Sequence, residues 1–404
     1  MHNTRQINKD LYYIGVSDRK ISIFESFYPL YEGVSYNSYL LKDEKTVLFD
    51  TVDKHERTRF FENLEFVLGD KPLDYLVVNH LEPDHSALIA DVVEKYNNIQ
   101  IICNQKTKDM LYQFFAFNEQ NSPKFVVVQE GDVFNTGSHE LTFIMAPMVH
   151  WPEVMVTYDK TDKILFSADA FGSFGALNGN IFDCEVDIAD KINEYRRYYT
   201  NIAGKYGLQV NNLLKKASNL EIEMICPLHG LILKDNIPLL VDKYSHWANY
   251  KPEINSVLIT YSSVYGATEN ASSVLASKLA QLGVRNIKMY DVSKTHSSYV
   301  LSDAFKYSHI VLATTTYNNN IFVTMENFIN DIIHHNLQNR TFALIENGSW
   351  VPNCACSIAD KLAKLKGTKI IEDKLTLKST LKSNQEAELD KLAKSIFDDI
   401  NLKH

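Results

Sequence analysis

From Ser256 onward the chain repeats one grammar: a short apolar run, a loop, an amphipathic stretch, then the next apolar run. The runs are SVLITY, NIKMYDV, HIVLATT, TFALIEN and GTKIIED, with helical periodicity around Asn270 to Leu282, Met325 to His335 and Asn353 to Leu365. Parallel neighbours need a crossover long enough to hold a helix, so this order predicts a doubly wound parallel sheet with helices on both faces. A last helix closes it, with Ser383 and Glu386 as a capping box and Leu389, Leu392, Ala393, Ile396, Phe397 and Ile400 at helical spacing.

Before Lys251-Pro252 the pattern differs. LYYIGV, ISIFESF, YNSYLL and TVLFD read as an antiparallel meander. LDYLVVN, a helix from Ser86 to Tyr96, IQIIC, a helix from Lys106 to Phe117 and FVVVQ follow. LTFIMA and KILFSA precede a long amphipathic pattern from Asp187 to Leu220, after which IEMIC returns to a sheet. The economical assembly is mixed sheets with outer helices, and the change of grammar sets two domains, 1–251 and 252–404.

Composition narrows the function classes. Lys plus Arg at 41 against Asp plus Glu at 50 gives a formal charge of -9 with no basic run, which argues against nucleic-acid or anionic-membrane binding. No apolar stretch approaches the roughly 20 residues of a membrane span, and MHNTRQINKDLYYIGV lacks the layout of a secretory signal, so a cytoplasmic location is expected. Cys103, Cys184, Cys226, Cys354 and Cys356 are scattered and odd in number, which suits buried thiols in a reducing compartment better than disulfides. Cys354 and Cys356 form a C-x-C pair without a second pair nearby, and no metal is assigned to them.

The most informative string is His80-Leu81-Glu82-Pro83-Asp84-His85, four potential ligands in six residues after LDYLVVN. A strand end followed by an irregular turn stiffened by Pro83 can aim all four into one cavity, which a regular helix or strand cannot. His150 after LTFIMAPMV, Asp169 after KILFSA and His229 after IEMICPL also end apolar, strand-like runs. If those strands are neighbours, four imidazoles and three carboxylates meet, an inventory that suits two divalent metals. Oxygen-rich donors with imidazole and no thiolate favour iron or manganese over structural zinc. Glu82, Asp84 and Asp169 with one bridging hydroxide would neutralise two ferrous ions, and Asp169 has two oxygens to share. His2, His55, His139, His246, His296, His309, His334, His335 and His404 fall outside the pattern and read as surface or packing residues.

The second half opens with VLITYSSVYGATEN, a strand running through Ser263, Val264, Tyr265, Gly266, Ala267 and Thr268 into a helix. Hydroxyls of Ser263 and Thr268, loop amides and the helix N-terminus can neutralise a phosphate without lysine. The loop is neither G-x-G-x-x-G nor a Walker motif, so a flavin mononucleotide is favoured over a dinucleotide or a nucleoside triphosphate. Thr314, Thr316, Tyr317, Asn318 and Asn319 follow HIVLA, and Asn347, Gly348, Ser349 and Trp350 follow TFALIE. Both loops belong at carboxyl ends of strands, beside the switch point, where Tyr317 or Trp350 can cover an isoalloxazine ring.

Together these motifs resemble the flavodiiron (A-type flavoprotein) family over nearly the whole chain. The resemblance implies an N-terminal metallo-β-lactamase-like αββα sandwich and a C-terminal flavodoxin-like doubly wound parallel sheet. The family pattern H-x-E-x-D-H, then H, D and H, is matched by His80, Glu82, Asp84, His85, His150, Asp169 and His229. By resemblance, His80, Glu82 and His150 hold one iron, Asp84, His85 and His229 the other, and Asp169 bridges them. Glu82 stands where related zinc hydrolases carry a second histidine, a departure toward redox chemistry. Ala267 departs from the flavodoxin-like loop, where a hydroxyl residue is common, and leaves only its amide for the phosphate.

The implied activity is reduction of O2 to water, of NO to N2O, or both, with electrons relayed through FMN. No rubredoxin or flavin-reductase module follows the closing helix, so an external donor such as rubredoxin is expected. A head-to-tail homodimer or a tetramer is implied by the same resemblance. Of Tyr195, Tyr198 and Tyr199, at least two are expected in helix packing, with lining of the site or proton donation as the alternative role, and no catalytic residue beyond the metal ligands is assigned. The alternatives are a zinc-dependent hydrolase with an appended flavin domain and a non-catalytic electron-transfer flavoprotein.

Overall fold

The computed structural model describes residues 1–118 and 122–402, so His404 lies outside the described residues. The chain forms two compact units, Met1–Tyr199 with Leu208–Ser245, and Thr200–Gly207 with His246 onward.

The first unit is a sandwich of two sheets. One has seven strands in the order Arg5–Gln6, Leu11–Tyr13, Tyr39–Lys42, Thr46–Phe49, Tyr75–Val77, Gln100–Cys103 and Lys124–Val127. Its first four strands are antiparallel and the rest parallel. The other has five strands, Val133–Asn135, Glu140–Met145, Met155–Asp159, Ile164–Phe166 and Met224–Cys226, antiparallel except for the last pair.

Period-two alternation divides each strand between two faces. Tyr39, Leu41, Val47, Phe49, Val77 and Ile102 meet Leu141, Phe143, Met155, Ile164 and Phe166 between the sheets, and the rings of Phe49 and Phe166 stack at 3.8 Å. Leu40, Leu48, Leu76 and Ile101 alternate with these and are also buried, with the helix Arg57–Leu68 packing against strand Tyr39–Lys42 through residues such as Phe60 and Leu64. The result is an αββα sandwich.

The second unit is a parallel sheet in the order Lys288–Asp291, Ile254–Tyr261, Tyr307–Tyr317 and Thr341–Asn347, followed by Lys369–Ile370 and Leu375–Leu377, which both pair with Thr341–Asn347. This is the 2-1-3-4-5 order of flavodoxin-like sheets. Val257, Ile259, Val311, Ala313, Ala343 and Ile345 pack on one face against Leu275 and Leu279 and against Leu389, Leu392 and Ile396 of the last helix.

Several local expectations are corrected. ISIFESF is not one strand: Ile23–Phe24 pairs only with Tyr28–Pro29, because Glu25 and Ser26 adopt left-handed φ of 49° and 56° and turn the chain. Val16–Asp18 pairs with Val34–Tyr36 in a separate ribbon. The helix expected from Ser86 to Tyr96 is two, Pro83–Ser86 and Ile89–Lys95. Pro83 therefore opens a helical turn as its first residue, where its missing N–H costs nothing. The pattern from Asp187 to Leu220 breaks into Ile192–Ile202 and Gly207–Ala217. A Cβ on Gly207 would meet the Ala248 carbonyl at 2.2 Å, so only glycine fits that junction.

The central strand Met155–Asp159 escaped the reading because its Thr, Tyr and Asp masked a segment that is buried throughout. The helix Ser297–Lys306 and the strand Leu375–Leu377 were also unread. Ser383 does not cap the last helix but lies in a 3-10 turn, Ser383–Gln385, before the helix Glu386–Leu402. Among the described residues no helix is long and apolar enough to cross a membrane.

Candidate metal centre

The local fold explains why the candidate ligands meet. Parallel strands Thr46–Phe49 and Tyr75–Val77 bring Asp50 beside Asn79 and His80. Asp50 accepts from the Asn79 amide at 2.8 Å, the His80 amide at 3.2 Å and Asn79 Nδ2 at 2.8 Å. The turn carrying Glu82, Asp84 and His85 is held by Thr51, whose amide and hydroxyl both donate to the His85 carbonyl, at 2.8 and 2.7 Å. His150 and Asp169 follow strands Glu140–Met145 and Ile164–Phe166, and His229 follows Met224–Cys226. All are strand ends on one rim of the sandwich.

Two clusters result: His80, Glu82, His150 and Asp169, and Asp84, His85 and His229, with donor atoms in each cluster within 4.8 Å of one another. In the first, Glu82 Oε2 lies 3.2 Å from His80 Nε2 and 3.0 Å from His150 Nε2. In the second, Asp84 Oδ2 lies 3.2 Å from both His85 Nε2 and His229 Nε2. Asp169 joins them: its Oδ2 is 3.1 Å from His150 Nε2, and its Oδ1 is 3.4 Å from His85 Nε2. All seven sequence-predicted residues therefore share one pocket; five of them are buried, and Glu82 and His150 are about one-tenth exposed.

Outer partners fix the ring orientations. His80 Nδ1 donates to Glu153 Oε1 at 2.9 Å, and His229 Nδ1 donates to the Ser35 carbonyl at 2.7 Å. A carboxylate and a carbonyl can only accept, so Nδ1 carries the hydrogen and Nε2 faces the pocket. Tyr198 packs its ring 5.4 Å from that of His229. Tyr195 and Tyr199 are fully buried, and Tyr199 packs edge-on against Tyr244 at 4.9 Å.

The electrostatics are those of a cage built for cations. Burial disfavours the His85 imidazolium, but Asp84 and Asp169 more than offset it and raise the pKa to about 10. His150 rises to about 9 against the same burial, through Asp169 and Glu82. Asp169 and Asp84 are driven below the usual carboxylate range, where the facing histidines outweigh the burial that would protonate them.

Other features fit a bound metal better than a hydrogen-bonded network. The Nε2 atoms of His85 and His229 approach to 2.9 Å. Two nitrogens at about 2.1 Å from one cation, a right angle apart, stand about 3.0 Å from each other. Both Asp84 oxygens and Asp169 Oδ1 are buried without a hydrogen bond of good geometry, a cost of ~1–3 kcal/mol each that coordination removes. The donor set, three carboxylates and four imidazoles without thiolate, suits iron.

The flavin loops lie at the carboxyl ends of the parallel strands. Gly266 takes φ 88° just before the helix Ala267–Gln281. Among the described residues the amides of Ser263, Val264, Tyr265 and Gly266 find no hydrogen-bond partner, and the Ser263 hydroxyl is buried without one. Unspent donors around a helix N-terminus fit a phosphate. The Thr268 hydroxyl, in contrast, already lies 3.2 Å from that of Thr315 and accepts from Asn347 Nδ2 at 3.3 Å.

Thr314 pairs its hydroxyl with Ser262 at 2.6 Å, and Thr316 accepts from the Asn353 and Cys354 amides. Asn318 and Asn319 turn a tight hairpin at φ 50° and 59°. Gly348 donates to the Leu377 carbonyl, and Ser349 shares a hydrogen bond with Ser379. Tyr265, Tyr317 and Trp350 are 98%, 51% and 86% exposed, which leaves their ring faces open to a planar ligand. Cys354 is buried, Cys356 exposed and both are free thiols.

Sequence reasoning missed the supporting residues. Asp50 follows the run TVLF as Asp169 follows KILFSA, so the same strand-end logic would have flagged it. Glu153 sits three residues after His150 in an apolar context, a signal without a distinctive spacing. Ser35 acts through its carbonyl and leaves no trace in residue type. Glu25, an exposed residue, brings its carboxyl beside Glu82 and His150. His139 and His309, read as surface or packing residues, are packing residues, buried against Asp159 at 2.8 Å and Asp399 at 3.0 Å.

Comparison with known proteins agrees with this architecture. A family model described as ODP family beta lactamase matches residues 34–230. An uncharacterised protein of Methanocaldococcus jannaschii is 33% identical over 369 residues, covering 91% of each chain. The anaerobic nitric oxide reductase flavorubredoxin of Vibrio vulnificus is 30% identical over 357 residues, which cover 86% of this chain and 70% of that one. Among solved structures, the rubredoxin oxygen:oxidoreductase of Desulfovibrio gigas superposes with a TM-score of 0.92 at 26% identity, over 99% of both chains. With its two units, its His, Asp and Glu clusters and these relatives, the chain belongs to the flavodiiron protein family and is an oxidoreductase.

Proposed function

We propose that the protein reduces O2, NO or both, with electrons from a separate donor protein such as rubredoxin. The observation that carries this reading is the convergence of four imidazole Nε2 atoms and three carboxylates in one buried pocket, split into two clusters by Asp169. His80, Glu82 and His150 would hold one iron and Asp84, His85 and His229 the second, with Asp169 between them. The loop Ser263–Thr268 would hold the FMN phosphate, and Tyr317 and Trp350 would flank the ring. Bound there, the flavin and the iron pair supply the electrons that convert O2 to water or couple two NO into N2O.

The chain's own side chains do the rest. Glu153 and the Ser35 carbonyl keep a hydrogen on Nδ1 of His80 and His229, so neither ring can flip away from the pocket. Burial of His80, His85 and His229 excludes bulk water behind the cluster and strengthens every charge interaction within it. His150 and Glu82 remain about one-tenth exposed and form the open side by which a small gas enters.

The Vibrio vulnificus relative is named for nitric oxide and the Desulfovibrio gigas protein for oxygen, so either gas is a candidate substrate. Residues 1–251 are taken as the metal-holding domain and 252–404 as the flavin domain. A head-to-tail homodimer, alone or paired into a tetramer, would set the flavin of one chain beside the irons of the next. Five free thiols are in keeping with a cytoplasmic location.

Anaerobic stopped-flow oxidation of the fully reduced, iron-loaded protein by O2 and by NO in parallel tests the proposal. Fast oxidation by at least one gas is expected. Slow oxidation by both refutes it.

A further inference from the structure

Arg5, Arg19 and Arg59 converge on one cavity of about 350 Å³ in the first unit. None of the seven candidate metal ligands lines it, and among the described residues no acidic side chain does. In a chain with 50 acidic and 41 basic residues, a cavity with three guanidinium groups and no carboxylate runs against the background.

Two of the three charges are answered from outside the cavity. Arg5 grips Glu185 through both Nη1, at 2.8 Å, and Nη2. Arg59 donates through Nη2 to Glu56 and through Nη1 to the Ser17 carbonyl at 3.0 Å. Arg19 has no carboxylate partner among the described residues: its Nη2 donates to the Leu177 carbonyl and, at 3.0 Å, to Asn178 Oδ1. Neutral acceptors fix the direction of the fork without offsetting its charge, and Nε and Nη1 remain unspent.

The fork is held in place before any ligand arrives. Ser17 Oγ accepts from the Leu177 amide at 3.0 Å, so the strand Val16–Asp18 and the segment at Leu177 are tied together at the point where Arg19 docks. Ser17 lines the cavity while its neighbour Asp18 does not. Asp18 instead accepts from the amides of Lys20 and Ile21, at 2.7 and 3.2 Å. The nearest acid in sequence is therefore spent on a turn.

We propose that this cavity binds a small phosphate monoester, with phosphoryl oxygens on the free side of the Arg19 fork between Arg5 and Arg59. A phosphoryl group offers up to two charges and three terminal oxygens, two of which can take the unspent Nε and Nη1 of Arg19 in the fork geometry that favours phosphate. Leu177 and Ile181 supply an apolar wall for the carbon part. The volume lies near the lower end of ligand pockets, so the body is glycerol- or sugar-sized rather than a nucleotide.

The test is calorimetric titration of the FMN- and iron-loaded protein with glycerol 3-phosphate, with inorganic phosphate and glycerol as its fragments. Prior FMN loading keeps the flavin's phosphate loop filled. The expected result is saturable binding of the ester, tighter than inorganic phosphate, and none of glycerol. Arg19→Gln should weaken it about tenfold or more, with partial recovery in Arg19→Lys. Hydrogen exchange on the unmodified protein should show protection confined to the lining segments, residues 3–5, 13–19, 59 and 177–181, a readout that survives if a variant fails to fold. Absence of saturable binding, equal affinity for ester and inorganic phosphate, unchanged affinity in Arg19→Gln, or protection elsewhere would each overturn the proposal.

Discussion

His80 Nδ1 lies 2.9 Å from Glu153 Oε1, and both side chains are fully buried. The same oxygen accepts from the Leu81 amide at 2.9 Å, while Oε2 has no partner. One carboxylate thus fixes both a ligand ring and the backbone that follows it. Glu153→Ala should lower iron affinity about 10- to 100-fold, with Glu153→Gln between the two. Iron titration of the metal-free protein with a competing chelator measures it.

Iron uptake should release protons and tighten as pH rises from about 6 to about 9. Without metal, His85 and His150 hold their protons up to about 10 and about 9 because facing carboxylates outweigh burial. A cation must displace those protons, so lower pH opposes binding. Calorimetry in buffers of differing ionisation enthalpy counts the protons released, and a pH-independent affinity would contradict the cage described above.

His139 gives a stability prediction away from the metal centre. Its hydrogen bond to Asp159, opposed by burial, raises its pKa from 6.5 to about 9. A pKa raised on folding stabilises fully below the unfolded value, near 6.5, and the contribution is lost as pH climbs through 9. His139→Asn should therefore cost up to ~3 kcal/mol at pH 6 and much less above pH 9. Urea unfolding of both proteins across that range gives the difference directly.

Ser263 separates ligand binding from stability. Its hydroxyl is buried without a partner, so Ser263→Ala should leave the flavin-free protein as stable or slightly more so. If the hydroxyl serves the FMN phosphate, the same change weakens FMN retention about five- to tenfold. Fluorescence titration with FMN and thermal unfolding without it read the two effects separately.

The candidate ligands were legible in the sequence because His80, His150, Asp169 and His229 follow apolar runs, and a strand end commits the next side chains to a rim. The rim itself was not legible. Met155–Asp159, which bridges the strands leading to His150 and Asp169, carries three polar residues in five and breaks the alternation that marks a strand. The second unit read more clearly because its strands are buried on both faces and appear as continuous apolar runs, as in Leu258, Ile259, Val311 and Leu312. Contacts made through backbone atoms, such as His229 to the Ser35 carbonyl, depend on the path of the chain rather than on residue type.

Asp169 faces both clusters, and one experiment tests most directly whether its carboxylate is shared by two irons. Anaerobically reconstituted protein and Asp169→Asn should be compared by iron analysis and Mössbauer spectroscopy. The account predicts two irons per chain, magnetically coupled in the parent and with altered coupling or a lost iron in Asp169→Asn. A single iron, zinc retained in preference to iron, or two irons with identical spectra in both proteins would contradict it.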